Sequence, residues 1–333
     1  MKLLKKINRS IVFPTMMGFK ADKIIRSFAP NNTLNIMYHG VVKNDSCYFS
    51  PRHITETQFE KQLIYLKNNF NIIRLNQSEL NTSIIDPSKK TITISFDDGF
   101  KNNLDCALPL IEKHKIPVTF FISSICIEEM EHRFLWSELI AGLNYFYKNQ
   151  VIVVGGIEYK NLVDSENKNL TDRIKKLKPT ERDQLLAEIE NKYDLVSKIQ
   201  NLPSEVWKLL TKQELIQLAK SPMVDIGSHG HLHYNLGDIS IEDAKIELEV
   251  SKKKLEETIG KEINMIAYPD GSYSEEVKDL AEKIGYKFQL AVNYLSDKDK
   301  SDPRIQNRHG VASTTTFESN MLILNLAFRK KGI

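Results

Sequence analysis

An apolar run, Thr91 to Phe96, ends in two adjacent aspartates, Asp97 and Asp98, followed by Gly99. Neighbouring carboxylates repel, and burying them is costly unless a cation or hydrogen-bond donors compensate. A divalent metal answers the problem: one carboxylate becomes a ligand and the other stays close enough to take a proton from water. The same letters also fit an ordinary turn leading into a helix. A second cluster, His229-Gly230-His231-Leu232-His233, places three of the chain's eight histidines within five residues. His229 and His233 are four apart, so a helical or turn-like backbone sets both on one face. Neutral imidazoles are good zinc-type ligands, and two histidines with one carboxylate complete a donor set. His231 points elsewhere at that spacing. A third segment, Tyr268-Pro269-Asp270-Gly271, is a turn whose flanking aromatics could wall a sugar site, or simply a turn leading to a helix cap at Ser274. Tyr38, Tyr268, Tyr273 and Trp136 are the candidate ligand-contacting aromatics, although most aromatics in a chain of this size are core.

These residues need rigid elements beneath them. Strand-like segments at Leu34–Tyr38, Asn71–Leu75, Thr91–Phe96 and Val118–Ile122 alternate with helical ones at Glu56–Asn69 and Leu104–His114, where Pro109 blurs the start. The alternation resumes with a helix at Lys212–Lys220, a strand at Met223–Ile226 and a long helix at Ile241–Ile259. A strand at Ile263–Tyr268, a helix at Glu275–Ile284 and a strand at Lys287–Val292 follow. Ala244, Leu248, Leu255 and Ile259, with Ile241, give the long helix its core face. Six or seven strands in this rhythm predict an α/β barrel or open sheet, with ligands at the carboxyl ends of the strands. The rhythm breaks between about 127 and 203. That stretch predicts a mainly helical insertion, with Val151–Val154 as a strand and Glu181–Lys192 as its clearest helix, started by Pro179 and Thr180.

The chain has 333 residues, 41% hydrophobic and 27% charged, with a formal net charge of +3. This is soluble globular composition, large enough for a sizeable core, and too mildly basic to suggest nucleic acid as a partner. Three cysteines, Cys47, Cys106 and Cys126, show no metal-type spacing and fit a reducing compartment. Residues 1–33 form a basic leader. Lys2, Lys5, Lys6 and Arg9 imitate the start of a signal peptide, but the apolar stretch that follows is short and broken by Pro14. Leu3, Leu4, Ile7 and Ile11 recur at helical spacing beside those lysines. This allows peripheral contact with an anionic membrane, although a helix packed on its own domain explains it too. The expectation is a cytoplasmic protein, with peripheral membrane contact through the N-terminus as the second reading.

Taken in order, the motifs resemble those of the polysaccharide-deacetylase family, also called the NodB-homology domain or carbohydrate esterase family four. Ser95-Phe96-Asp97-Asp98-Gly99 is similar to its first motif. His229 to His233 is similar to its second, His-Ser/Thr-x-x-His, with Gly230 replacing the hydroxyl residue. Ala267-Tyr268-Pro269-Asp270-Gly271-Ser272-Tyr273-Ser274 resembles the third as found in one branch. Met37-Tyr38-His39-Gly40-Val41 resembles that branch's first strand, and Thr211 to Leu218 its approach to the second motif. The similarity runs from about Leu34 to Ala312.

The resemblance implies a distorted (β/α)7-type barrel over 34–333, interrupted by the insertion. It implies Asp98, His229 and His233 as ligands of a divalent metal, zinc first, with cobalt, nickel or manganese also compatible. It makes Asp97 the general base. Tyr268, Pro269, Gly271 and Tyr38 are the expected substrate contacts, with a backbone N–H of the Tyr268–Gly271 turn for the oxyanion. Two features depart from the common pattern. The late Leu-x-His motif that supplies the acid is missing, so His39 ranks first for that role and His309 second. The third motif also lacks its usual arginine, and Arg308 is the replacement expected from a neighbouring strand. The implied reaction is metal-dependent removal of N-acetyl groups from an amino sugar in a glycan, glycolipid or nucleotide-linked sugar, in cell-envelope polysaccharide biosynthesis. The rival readings are an amidohydrolase for a small ureide or N-formyl group and a non-catalytic metal- or glycan-binding protein. A glycoside hydrolase fits poorly, because its two carboxyl groups must stand about 5 Å or more apart across a bond.

Overall fold

A computed structural model describes residues 12–30, 32–43, 49–77, 85–128 and 134–328. The amphipathic Leu3–Ile11 pattern and Cys47 lie outside the described residues. Cys106 and Cys126 are both buried.

Twelve strands occur among the described residues: β1 (Thr33–Tyr38), β2 (Gly40–Val42), β3 (His53–Thr55), β4 (Phe70–Ile72), β5 (Lys90–Phe96) and β6 (Val118–Ile122), then β7 (Val151–Val154), β8 (Ile157–Lys160), β9 (Val224–Ser228), β10 (Met265–Ala267), β11 (Phe288–Ala291) and β12 (Ile305–Gly310). Seven of them close an all-parallel barrel in the order β1-β12-β11-β10-β9-β6-β5, with β5 pairing back onto β1. One edge of β5 is shared. Its start, Lys90–Ile92, pairs with β4, and its end, Ser95–Phe96, pairs with β6. The barrel is therefore distorted at this point. Strands covered on both faces should read as continuous apolar runs, and β6 is buried at all five positions.

The outer helices start and stop as local chemistry dictates. Thr55 caps Glu56–Asn69, which buries Phe59, Leu63 and Leu66 at helical spacing. Ser240 caps Ile241–Ile259, and Gly260, at φ +66°, ends it in the left-handed conformation. Helix starts and stops thus fall within a residue or two of the sequence expectation here. At Leu104–His114 the element is divided: a wide π-helical segment spans Asn103–Ala107, and an α-helix follows over Leu108–His114 with Pro109 in its first turn. The wide turn before it accommodates the ring and the missing N–H that a proline brings to a helix already under way. The strand expected at Asn71–Leu75 ends at Ile72, and Leu75 opens a 3₁₀ turn.

The stretch between β6 and β9 is a small body with its own core. Helices Trp136–Phe146, Leu170–Lys175, Pro179–Tyr193 and Leu195–Gln200 pack around the antiparallel hairpin β7–β8. Trp136, Ile140, Leu143, Ile152, Tyr159, Ile189 and Ile199 form a cluster separate from the barrel core, reached from the barrel side by Val42 and Phe49. The expected helices are joined there by a hairpin whose second strand, Ile-Glu-Tyr-Lys, buries only Tyr159 and so carries little sequence signal.

Candidate metal and catalytic site

β5 delivers the aspartate pair to the carboxyl end of the barrel. Asp97 donates its amide to Tyr38 O, and Asp98 follows at φ +77° with Gly99 at +86°. This left-handed pair turns the chain sharply, so that both carboxylates face inward, each almost fully buried. β9 delivers the histidines. Gly230 sits at φ +74°, and the Glu247 carboxylate lies 3.2 Å from where a Cβ would stand. Glycine therefore suits the position at which the family motif has serine or threonine. Glu247, from the long helix, accepts the amides of His231 and Leu232 and holds the loop in place.

Asp98 Oδ1 lies 3.2 Å from His233 Nε2 and 3.5 Å from His229 Nε2. His229 Nδ1 donates to the Ala267 carbonyl at 2.7 Å, so its proton is on Nδ1 and the Nε2 lone pair faces Asp98. Burial lowers the His229 pKa to about 4, leaving the ring neutral and ligand-ready. Burial also opposes charge on His233, but Asp98 outweighs it and raises that pKa. Asp98 Oδ1 is buried without a hydrogen-bond donor. One atom each from Asp98, His229 and His233 lies within 4.8 Å of the others, a donor set that fits a zinc-type ion. His231 is turned away from this group, onto Ser124 Oγ at 2.9 Å.

Asp97 is held by Arg308 of β12 through two parallel bonds, Nη1 to Oδ1 at 2.6 Å and Nη2 to Oδ2 at 2.8 Å. Burial would raise the Asp97 pKa, but Arg308 and His229 more than offset it, and the carboxyl lies below its ordinary value. His39 follows β1 and lines the same cavity, half-buried. Burial leads its shift and lowers its pKa, against the pull of Asp98 and Asp97. His309 is next to Arg308 on the strand, so alternation turns it to the other face, and it does not line the cavity.

Four expected contacts need correcting: Tyr38, Tyr273, Pro269 and Gly271 do not line the cavity. Tyr38 is core: its ring packs on Phe59 and Phe96, and its hydroxyl donates to Gln62. Tyr273 is also core, stacked on Tyr268 with its hydroxyl on Asp299. Tyr268 borders the cavity, yet its hydroxyl points away to Gln289. Pro269 and Gly271 shape the turn rather than line the cavity. Gly271 runs against the Val292 backbone at φ +71°, where a Cβ would not fit. In this turn Tyr268 N donates to Leu290 O and Gly271 N to Tyr268 O, and Pro269 has no N–H. The oxyanion expectation therefore narrows to the Asp270 amide.

The cavity measures about 520 Å³, and the insertion builds one wall of it with Trp136, Ile140, Ala141, Leu162 and Lys175. Several site residues were not legible in the sequence. Arg52 pairs with Asp98 Oδ2 at 3.5 Å and with the buried Glu138 of the insertion. Lys175 of the insertion meets Asp270 at 2.8 Å. The His233 carbonyl accepts from Trp136 Nε1 at 3.1 Å and Arg182 Nη1 at 3.3 Å. Of these, Trp136 and Asp270 belong to segments with a signal of their own in the sequence. Nothing in the local sequence of the others marks them for the site.

Known proteins share this architecture. The family model described as polysaccharide deacetylase matches residues 85–289. YxkH of Bacillus subtilis (strain 168), whose name places it with the polysaccharide deacetylases, is 20% identical over 265 residues, which is 79% of this chain. The chain spans 65% of the length of that relative. The crystal structure of a polysaccharide deacetylase from Bacillus cereus superposes with a TM-score of 0.54 at 18% identity, over 87% of this chain and 68% of the other. A de-N-acetylase from Aggregatibacter actinomycetemcomitans gives 0.52 at 17%, over 86% and 97%. At these identities the structures establish the shared barrel, and the family match takes in all three motifs while leaving out β1 and β12. With that match covering well over half of its length, this chain belongs to the polysaccharide deacetylase family.

Proposed function

We propose that this chain is a metal-dependent deacetylase that hydrolyses the N-acetyl group of an amino sugar in a glycan, glycolipid or nucleotide-linked sugar of cell-envelope biosynthesis. The observation that carries the reading is the juxtaposition of a buried Asp98, His229 and His233 group with an Arg308-held Asp97 beside one cavity.

Asp98, His229 and His233 would hold the ion, zinc by donor chemistry. Asp97 is the proton acceptor. Arg308 keeps it ionised and ready to accept, but makes it a weak base. A divalent metal supplies what this base lacks, since it acidifies water and polarises the acetamide carbonyl. As the water oxygen attacks the carbonyl carbon, its proton passes to Asp97. The Asp270 amide is the N–H of the adjacent turn best placed for the developing oxyanion. When the C–N bond breaks, the amine leaves with a proton from His39, and acetate and the free amine result. His39 is held mostly neutral at neutral pH, so the proton it passes to the amine is the one Asp97 took from water, which leaves both groups as they began.

The test is acetate release from N-acetylated sugars and glycolipids by zinc-loaded protein, beside Asp97→Asn and His39→Gln. Wild type should release acetate. Asp97→Asn should lose about 100-fold or more while retaining its metal. Folded, metal-loaded wild type that releases formate or opens small ureides, and never acetate, would overturn the substrate. Metal binding without any turnover would overturn the enzyme reading.

A further inference from the structure

The two most exposed large apolar side chains among the described residues are Phe19, at 80%, and Phe28, at 72%. Ile24, at 60%, lies between them. All three belong to the short helices that precede β1, Phe13–Gly18 and Ala21–Ser27, or to the residues that end them. The second helix buries Asp22 and Ile25, and Ala29 continues that face. Ile24 and Phe28, four residues apart, share the face turned from the barrel, and Lys20 precedes the helix as its N-cap. Lys20 and Lys23 are exposed. The acid of this segment, Asp22, is buried and accepts from Tyr65. The patch therefore has apolar tips fringed by cations.

The charge of the whole chain is arranged in the same way. Of 46 basic and 43 acidic residues, seven basic ones and one acidic one fall within the first 30, leaving 39 and 42 in the remaining 303. A near-neutral chain is thus polarised along its sequence, with the positive excess in the segment that includes the patch. We propose that the Phe19–Phe28 surface docks this protein on an anionic lipid bilayer, with Phe19, Ile24 and Phe28 entering the interface and Lys20 and Lys23 on headgroup phosphates. A second copy is a poor occupant. A two-fold contact through this patch sets Lys20 and Lys23 against their own symmetry mates, with no exposed acid of the segment to meet them. No helix among the described residues is long and apolar enough to cross a membrane, so the contact is with its surface.

The patch also has a defined place on the barrel. Arg26, on the same helix, bonds Asn69 and stacks on Phe70 at the start of β4, so the patch lies at the amino ends of the strands. His39 and the cavity are at the carboxyl ends. A six-residue strand spans about 20 Å, so the cavity faces away from the docked surface. The proposal does not depend on which bond the enzyme cleaves.

The test is co-sedimentation of the full chain with vesicles of phosphatidylglycerol in phosphatidylcholine, and with phosphatidylcholine alone. The anionic vesicles should pellet the protein, and added salt should release it. Phe19→Ser with Phe28→Ser should weaken binding about tenfold or more, and Lys20→Glu with Lys23→Glu should abolish it at physiological salt. Leu295→Ser, at another exposed apolar site, should change nothing. Unchanged thermal midpoints would show that the variants fold. No binding to anionic vesicles would overturn the proposal. So would undiminished binding by both double variants, which would assign the contact to other residues. Self-association of wild type that the same substitutions remove would assign the patch to a second copy instead.

Discussion

Asp97 and Asp98 are neighbours in the chain with different partners: two arginine nitrogens for one, two histidines and Arg52 for the other. The Asp97–Arg308 pair is buried, so removing one partner strands a charge. Arg308→Met should destabilise the protein by about 3–5 kcal/mol. Asp97→Asn in the same chain should restore much of that loss, and chemical denaturation of the two singles and the double measures the coupling. Additive losses would mean that the two groups do not depend on each other. His53 offers a separate test. It is fully buried, and burial, followed by the Arg52 charge, lowers its pKa to about 3. Between about 6.5 and 3 the unfolded chain therefore holds a proton that the folded chain lacks, so stability falls as pH drops through that window. His53→Asn should make the acid-side fall in thermal midpoint shallower, with the His229 contribution remaining. An unchanged slope would show that His53 does not stay neutral. That Asp97, Asp98, His229 and His233 come together was legible because paired aspartates at a strand end and clustered histidines in a loop are both unusual in a sequence. Arg52, Glu138, Arg182 and Glu247 were not, because their meaning depends on distant contacts. Tyr38 misleads at the level of sequence because a tyrosine beside a site residue points, by strand alternation, into the opposite layer.

Among the elements, those whose pattern agrees with their burial were legible: β6, the Glu56–Asn69 helix and the Ile241–Ile259 helix. β12 carries no strand signal, since Ile-Gln-Asn-Arg-His-Gly lacks the apolar run of a buried strand. Its polarity follows from what it does, which is to aim Arg308 at Asp97 and bond Asn35 through Gln306 and the Asn307 carbonyl. The insertion does more than wall the cavity. His233 holds a left-handed conformation, φ +57°, and its carbonyl is gripped from the insertion by Trp136 and Arg182. Trp136→Phe keeps most of the ring and loses the donor. It should weaken zinc affinity about 10-fold or more, with the fold retained, because groups that orient ligands are worth that much. Isothermal titration would measure it, and unchanged affinity would reduce the insertion to a wall of the cavity.

The described residues pack into three hydrophobic clusters, one of them built mainly from the insertion and set across the site from the rest. Metal binding to the folded state should raise stability by about 2.7 kcal/mol at a hundredfold excess over the dissociation constant. Thermal shift with zinc should show this for wild type and not for Asp98→Asn. An equal shift in the variant would place the ion elsewhere. The separate core of the insertion has a further consequence, for the order in which the molecule opens. Small bodies with their own cores are natural units of partial unfolding. If this unit comes away first, it takes Trp136, Arg182 and Glu138 with it and frees the His233 loop while the barrel stays closed. The rate at which a bound ion escapes would then be set by the opening of a whole wall, and amide exchange in Pro179–Tyr193 would keep time with it.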